Sequence, residues 1–166
     1  MRVLFAIVIS LTVIGCATSY QPTSIGGGFS ETRLSENTWR VVFRGNALAR
    51  SERTEDLALM RAADIALQHG FSFIQVQRSN TASTTVITSM PAYTTVQGRA
   101  TTSGNQTRFR AQGVTYGGDD TEEIVTSTLV VSVFHDKPSD GKGDIYEARF
   151  LCESIGAKYK AKCQAR

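Results

Sequence analysis

The chain has 166 residues, 18 basic and 15 acidic side chains and a formal net charge of +3. That length supports one domain with a real core, and the 41% apolar fraction excludes a disordered polypeptide. The near-balance of charge marks no particular partner and gives no reason to expect nucleic acid.

The chain opens with a charged residue, Arg2, and an almost unbroken apolar run over residues 3–14. The run is too short for a membrane-spanning helix, which needs about 20 apolar residues, and its charge and length are those of an export signal. It ends in Val13-Ile14-Gly15-Cys16, which resembles the bacterial lipobox. The resemblance implies that the Cys16 thiol carries a diacylglycerol, that residues 1–15 are removed, and that the new amino group is acylated. Several chains at about 0.8 kcal/mol per buried methylene hold a protein firmly in a bilayer. Ala17 stands where Asp favours inner-membrane retention, which implies the outer membrane with the body facing the periplasm. An ordinary secretory signal with a coincidental cysteine is the alternative. Residues 16–35 are expected to be a lipidated, flexible linker, being polar with Pro22 and Gly26-Gly27-Gly28, and residues 36–166 a single periplasmic domain.

Within the domain, residues 38–44 alternate, with Trp39, Val41 and Phe43 on one side and Thr38, Arg40 and Arg44 on the other. This predicts a half-buried strand. Residues 51–69 predict a helix capped by Ser51 or Thr54, with Leu59, Ala62, Ala63 and Ala66 on one stripe and Gly70 as terminator. Residues 71–78 return to strand character. Residues 79–118 are rich in Thr, Ser, Gln and Gly; from residue 65 to 118 there is no carboxylate, and residues 79–98 carry no charge at all. This stretch predicts either a long hairpin ribbon or a partly ordered loop. Residues 122–135 predict a long strand and residues 136–143 a turn. Residues 144–159 predict a second helix, with capping-box spacing at Asp144 and Glu147 and one apolar face through Ile145, Ala148, Cys152, Ile155 and Tyr159. The fold class is therefore α+β: an antiparallel or mixed sheet, two helices on one face, and the Thr-rich ribbon or loop.

Sites for chemistry are sparse. With Cys16 lipidated, Cys152 and Cys163 form a candidate disulfide in an oxidising compartment, with two free thiols as the alternative. Asp119-Asp120-Thr121-Glu122-Glu123 lacks the spaced ligands of a calcium loop and suits a solvated turn. Gly141-Lys142-Gly143 lacks the rest of a phosphate loop. No metal, cofactor or catalytic residue is expected. Arg99, Arg108 and Arg110 are candidate contacts for an anionic partner, and the uncharged residues 79–98 for edge-to-edge pairing with a partner strand.

Gly27-Gly28-Phe29-Ser30-Glu31, Phe43-Arg44-Gly45-Asn46, Glu55-Asp56, Arg61-Ala62-Ala63-Asp64 and Gly70-Phe71 together resemble a family of small proteobacterial lipoproteins with no assigned function. The resemblance covers residues 26–78 and the signal, and implies location and a one-domain body but no activity. The leading expectation is a non-catalytic envelope lipoprotein, anchored in the bilayer through acylated Cys16, that binds a protein or polymer. The alternatives are an enzyme on wall or lipid material, which requires Asp64, His69, His135 or Glu147 to converge in a pocket, and a redox sensor using Cys152 and Cys163.

Overall fold

The computed structural model describes residues 18–139 and 143–165. The signal segment, Cys16, Gly141, Lys142 and Arg166 lie outside them, so the lipidation and phosphate-loop expectations concern residues that are not described.

The core forms where the alternation is strongest. β2 (Thr38–Arg44) turns Trp39, Val41 and Phe43 to one side, all three buried. β4 (Gln106–Phe134) pairs with it antiparallel and presents Leu129, Val131 and Val133 to the same side. α1 (Ser51–Gln68) closes that face with Leu57, Met60 and Ile65, and its Ala58, Ala62, Ala63 and Ala66 let the helix lie close to the strands. β3 (Phe73–Ser103) adds Ile74 to the same cluster.

Five strands in the order β1-β2-β4-β3-β5 make one sheet, with every neighbouring pair antiparallel. The chain passes from β2 through α1 to β3, yet these two strands are not neighbours, because β4 lies between them. Both helices pack against the same apolar cluster, so the molecule is a single α+β domain.

Three expectations are corrected. β1 (Gly28–Ser35) occupies part of the expected linker, and before it Pro22 bridges Phe29. Only its first two residues are buried, because it is an edge strand, so its sequence carries no apolar alternation to read. The second expected helix begins later. Residues 144–147 form β5 (Asp144–Glu147) on the edge of β3, and α2 (Ala148–Tyr159) follows, with Glu147 rather than Asp144 at its N-cap and no side-chain cap bond. α1 is likewise preceded by Arg50, while Thr54 donates back to the Ser51 carbonyl.

Residues 79–118 belong to a ribbon. Below Arg44, where the β2 pairing ends opposite Thr126, β3 and β4 continue as a two-stranded hairpin to Ser103 and Gln106. About 20 residues per strand at ~3.3 Å rise make an arm roughly 65 Å long. The two-residue turn has Gly104 first at φ +61°, the arrangement of a type II′ hairpin. Midway, Met90 faces Gly118 and Tyr93 faces Tyr116, so β3 carries an extra residue in a bulge. Gly117, at φ +86°, sits so close there that a Cβ would lie 2.3 Å from the Pro91 carbonyl oxygen.

Candidate functional site

The outer half of the ribbon has two unlike faces, because directly paired residues share a face. Arg99 opposes Arg110, Thr101 opposes Arg108, Gln97 opposes Gln112 and Tyr93 opposes Tyr116. The ladder thus brings the three expected arginines together, and a cleft of about 550 Å³ is lined by them with Thr101 and Phe109. The tyrosine rings stack at 5.7 Å. The opposite face carries Val96, Gly98, Ala100, Phe109 and Ala111 and no charge. Phe109 lies over Gly98, where a Cβ would come 2.5 Å from its ring.

The inner half is acidic. Residues 119–123, expected to be a solvated turn, are strand, because Gly117 and Gly118 bend the ribbon instead of ending it. Asp120 opposes Thr88 and Glu122 opposes Val86. Among the described residues neither has an ion-pair partner. Glu123, on the other face, accepts from the Ser83 hydroxyl. The arm is therefore negative near its root and positive near its tip. Among the described residues, eight of the twelve exposed large apolar side chains lie on it, among them Ile87, Met90, Val96 and Phe109.

The root adjoins the place where the described chain begins. The Gly45 amide donates to the Val125 carbonyl at 2.8 Å, and the Asn46 amide donates to Thr18 Oγ1 at 2.8 Å. Arg53 Nη2 donates to the Thr18 carbonyl at 2.9 Å. Cys16, outside the described residues, stands two residues before this buried threonine in the sequence, a separation that an extended chain spans with at most about 7 Å.

A buried polar lock ties β1 and the segment before it to the middle of α1. Arg61 Nη2 and Nε donate to Glu31 at 2.7 and 3.2 Å, its Nη1 donates to Asp64 Oδ2 at 3.0 Å, and its guanidinium lies 4.3 Å from the Phe29 ring centroid. Burial is the largest single influence and opposes the Arg61 charge, but Glu31 and Tyr20 together outweigh it, so its pKa is raised. The Tyr20 hydroxyl donates to Asp64 Oδ2 at 2.8 Å, and its pKa is pushed up by burial and then by the Asp64 carboxylate. Residues 27–31 thus touch two places in turn: a Cβ at Gly27 would come 2.4 Å from the Arg44 carbonyl oxygen, and Phe29 and Glu31 meet Arg61.

The four residues required by an enzyme reading have other occupations. Asp64 is fully buried with both oxygens bonded. His69 lies 5.3 Å from Trp39, and His135 lies 4.4 Å from Phe71 with Nδ1 against the Gly70 carbonyl. Glu147 is exposed beside Phe73. None of the four lines the clefts at the ribbon tip, the ribbon root or the α2 end. Among the described residues no buried side-chain polar atom lacks a partner, and no three His, Cys, Asp or Glu side chains are grouped to hold a metal ion. Cys152 and Cys163 are joined in a disulfide, with Cα atoms 5.9 Å apart.

Sequence reasoning missed the root-to-tip charge division and the Arg61–Asp64 lock. The first was present as the spacing of acids and arginines within one strand, and needed only the strand assignment through Gly117 and Gly118. The second has no sequence signal, since its members lie on three separate segments. No family model, curated protein or solved structure matches the chain.

Proposed function

We propose that the chain is a non-catalytic envelope lipoprotein, anchored in the outer membrane through acylated Cys16, whose periplasmic body presents the ribbon as its contact element for an envelope protein or polymer. The observation that carries this reading is the ribbon itself. A two-stranded hairpin is marginal alone in water, and this one projects beyond every core contact with free edges, apolar side chains and unneutralised charges of both signs. Such a surface suits strand addition by a partner. The short span from Cys16 to Thr18 supports a body held close to the lipid surface, its arm springing from the tethered end.

The test is photocrosslinking in living cells. Crosslinkers at Val96 or Phe109 should capture partners that a crosslinker at Arg149 on α2 does not. Labelled palmitate should enter the parent chain but not Cys16→Ala, and Cys16→Ala should lose partners. Equal capture from Arg149 and the ribbon, or an unlabelled parent chain, would contradict the reading.

A further inference from the structure

The free edge of β4 carries charges of opposite sign in a symmetric order. Its even-numbered residues share one face, and along it Arg108 and Arg110 are followed by Asp120 and Glu122. The basic and acidic pairs are symmetric about Thr115. When two β4 strands run antiparallel with Thr115 opposite Thr115, Arg108 falls opposite Glu122 and Arg110 opposite Asp120, twice over by the two-fold axis. A shift of two residues either way breaks at least one of these matches.

Three further observations favour this register. First, the two-residue turn makes Ser103 and Gln106 a hydrogen-bonded pair, so Thr107, Phe109, Ala111, Gly113 and Thr115 direct their backbone groups away from β3. These are the residues that would exchange backbone bonds, while the charged residues fall in the closer, non-hydrogen-bonded pairs. Second, the pairing fits the available length: it would run from Gln106 opposite Ile124 to Ile124 opposite Gln106, and β2 takes over the edge at Thr126. Third, the lone ribbon places Arg99 against Arg110, a like-charge pair that weakens a ladder, and leaves Asp120 and Glu122 facing only Val86 and Thr88. The other edge offers no such code, since residues 79–98 of β3 are uncharged and fix no register.

We infer that two copies of this chain join through the free edge of β4, antiparallel about Thr115, forming a four-stranded ribbon with a body at each end. The inference rests on the ribbon as contact element and names its partner as a second copy; it does not need the lipid.

The test uses the full chain in detergent. Thr115→Cys should give a disulfide-linked dimer without reductant, since cysteines opposite one another in such a ladder lie within bridging distance. Thr95→Cys, on β3, should not. Sedimentation should show a dimer whose dissociation constant rises at least tenfold in Arg108→Glu/Arg110→Glu and returns toward the parent value when Asp120→Lys/Glu122→Lys is added. The Cys152–Cys163 bond, monitored in every variant, reports that the body has folded. A monomer at all concentrations, equal crosslinking at Thr95→Cys, or no rescue by the second reversal would overturn the pairing. A monomer whose ribbon still captures partners in cells would sink the self-pairing and leave the binding reading intact.

Discussion

Asp64 accepts from Tyr20, Arg61, Gln68 and the backbone amides of Gln164 and Ala165, so one carboxylate ties together the segment before β1, the middle of α1 and the end of the chain. Removing one partner of a buried ion pair leaves the other charge uncompensated. Asp64→Ala is therefore expected to cost about 3–5 kcal/mol in denaturant unfolding, far beyond an exposed substitution. Tyr20 adds a pH dependence. Its pKa is raised above the ordinary 10.0 by burial and by Asp64, so the stability it contributes is complete below pH 10 and declines above it, where the unfolded chain releases the phenolic proton first. Unfolding free energy should fall on the alkaline side of pH 10, and Tyr20→Phe should flatten that fall while costing about 1 kcal/mol at neutral pH. Tyr159, raised by burial and then by Asp56, has the same sign, so part of the slope will remain. The lock itself was not legible beforehand: Glu31, Arg61 and Asp64 stand out in the sequence only within segments that carry a resemblance, because spacing says nothing about a glutamate and a tyrosine arriving from another segment.

Elements were legible in proportion to how much of their surface meets the core. β2 and α1 announced themselves through buried positions at period two and along a helical stripe, and the last part of β4 did so through its run of Val and Leu. β1 and β5 did not, since edge strands bury little. The Ile145–Tyr159 spacing predicts one helix because a short strand followed by a helix can keep apolar residues at the same intervals. The ribbon sequence fits both a hairpin and a loop because, with no core beneath it, no apolar period is imposed. The bridge at the end of α2 had a clearer signal, two cysteines 11 residues apart. Cys163 pins the tail that carries the Gln164 and Ala165 amides to Asp64. Cys152→Ser/Cys163→Ser should lose about 2–3 kcal/mol, measured against the parent in denaturant, with the tail becoming the first site of proteolysis.

At the scale of the whole molecule, the body and the arm are separable in energy although continuous in chain. The core cluster takes its strand residues from β1, β2, the first residues of β3 and the last of β4, and none from residues 78–125. The arm's side chains are mostly exposed. The fold should therefore tolerate losing it. Replacing residues 85–123 by a two-residue Asn-Gly turn leaves the Thr84–Ile124 pair flanking it, keeps the Ala82–Thr126 pairing and converts β3 and β4 into an ordinary hairpin of the sheet. Thermal unfolding of this shortened chain should be cooperative, with a midpoint within a few degrees of the parent, because the hydrophobic area buried by the body is unchanged. Solubility at high concentration should rise, since the free strand edges and exposed Ile87, Val96 and Phe109 leave with the arm. A large drop in the midpoint would mean that the ribbon folds back to support the body. An unchanged midpoint with unchanged partners in cells would mean that binding resides elsewhere on the surface. The informative result is a stable body that binds nothing, because selection for stability alone gives no reason to keep an arm that leaves the core intact when it is removed.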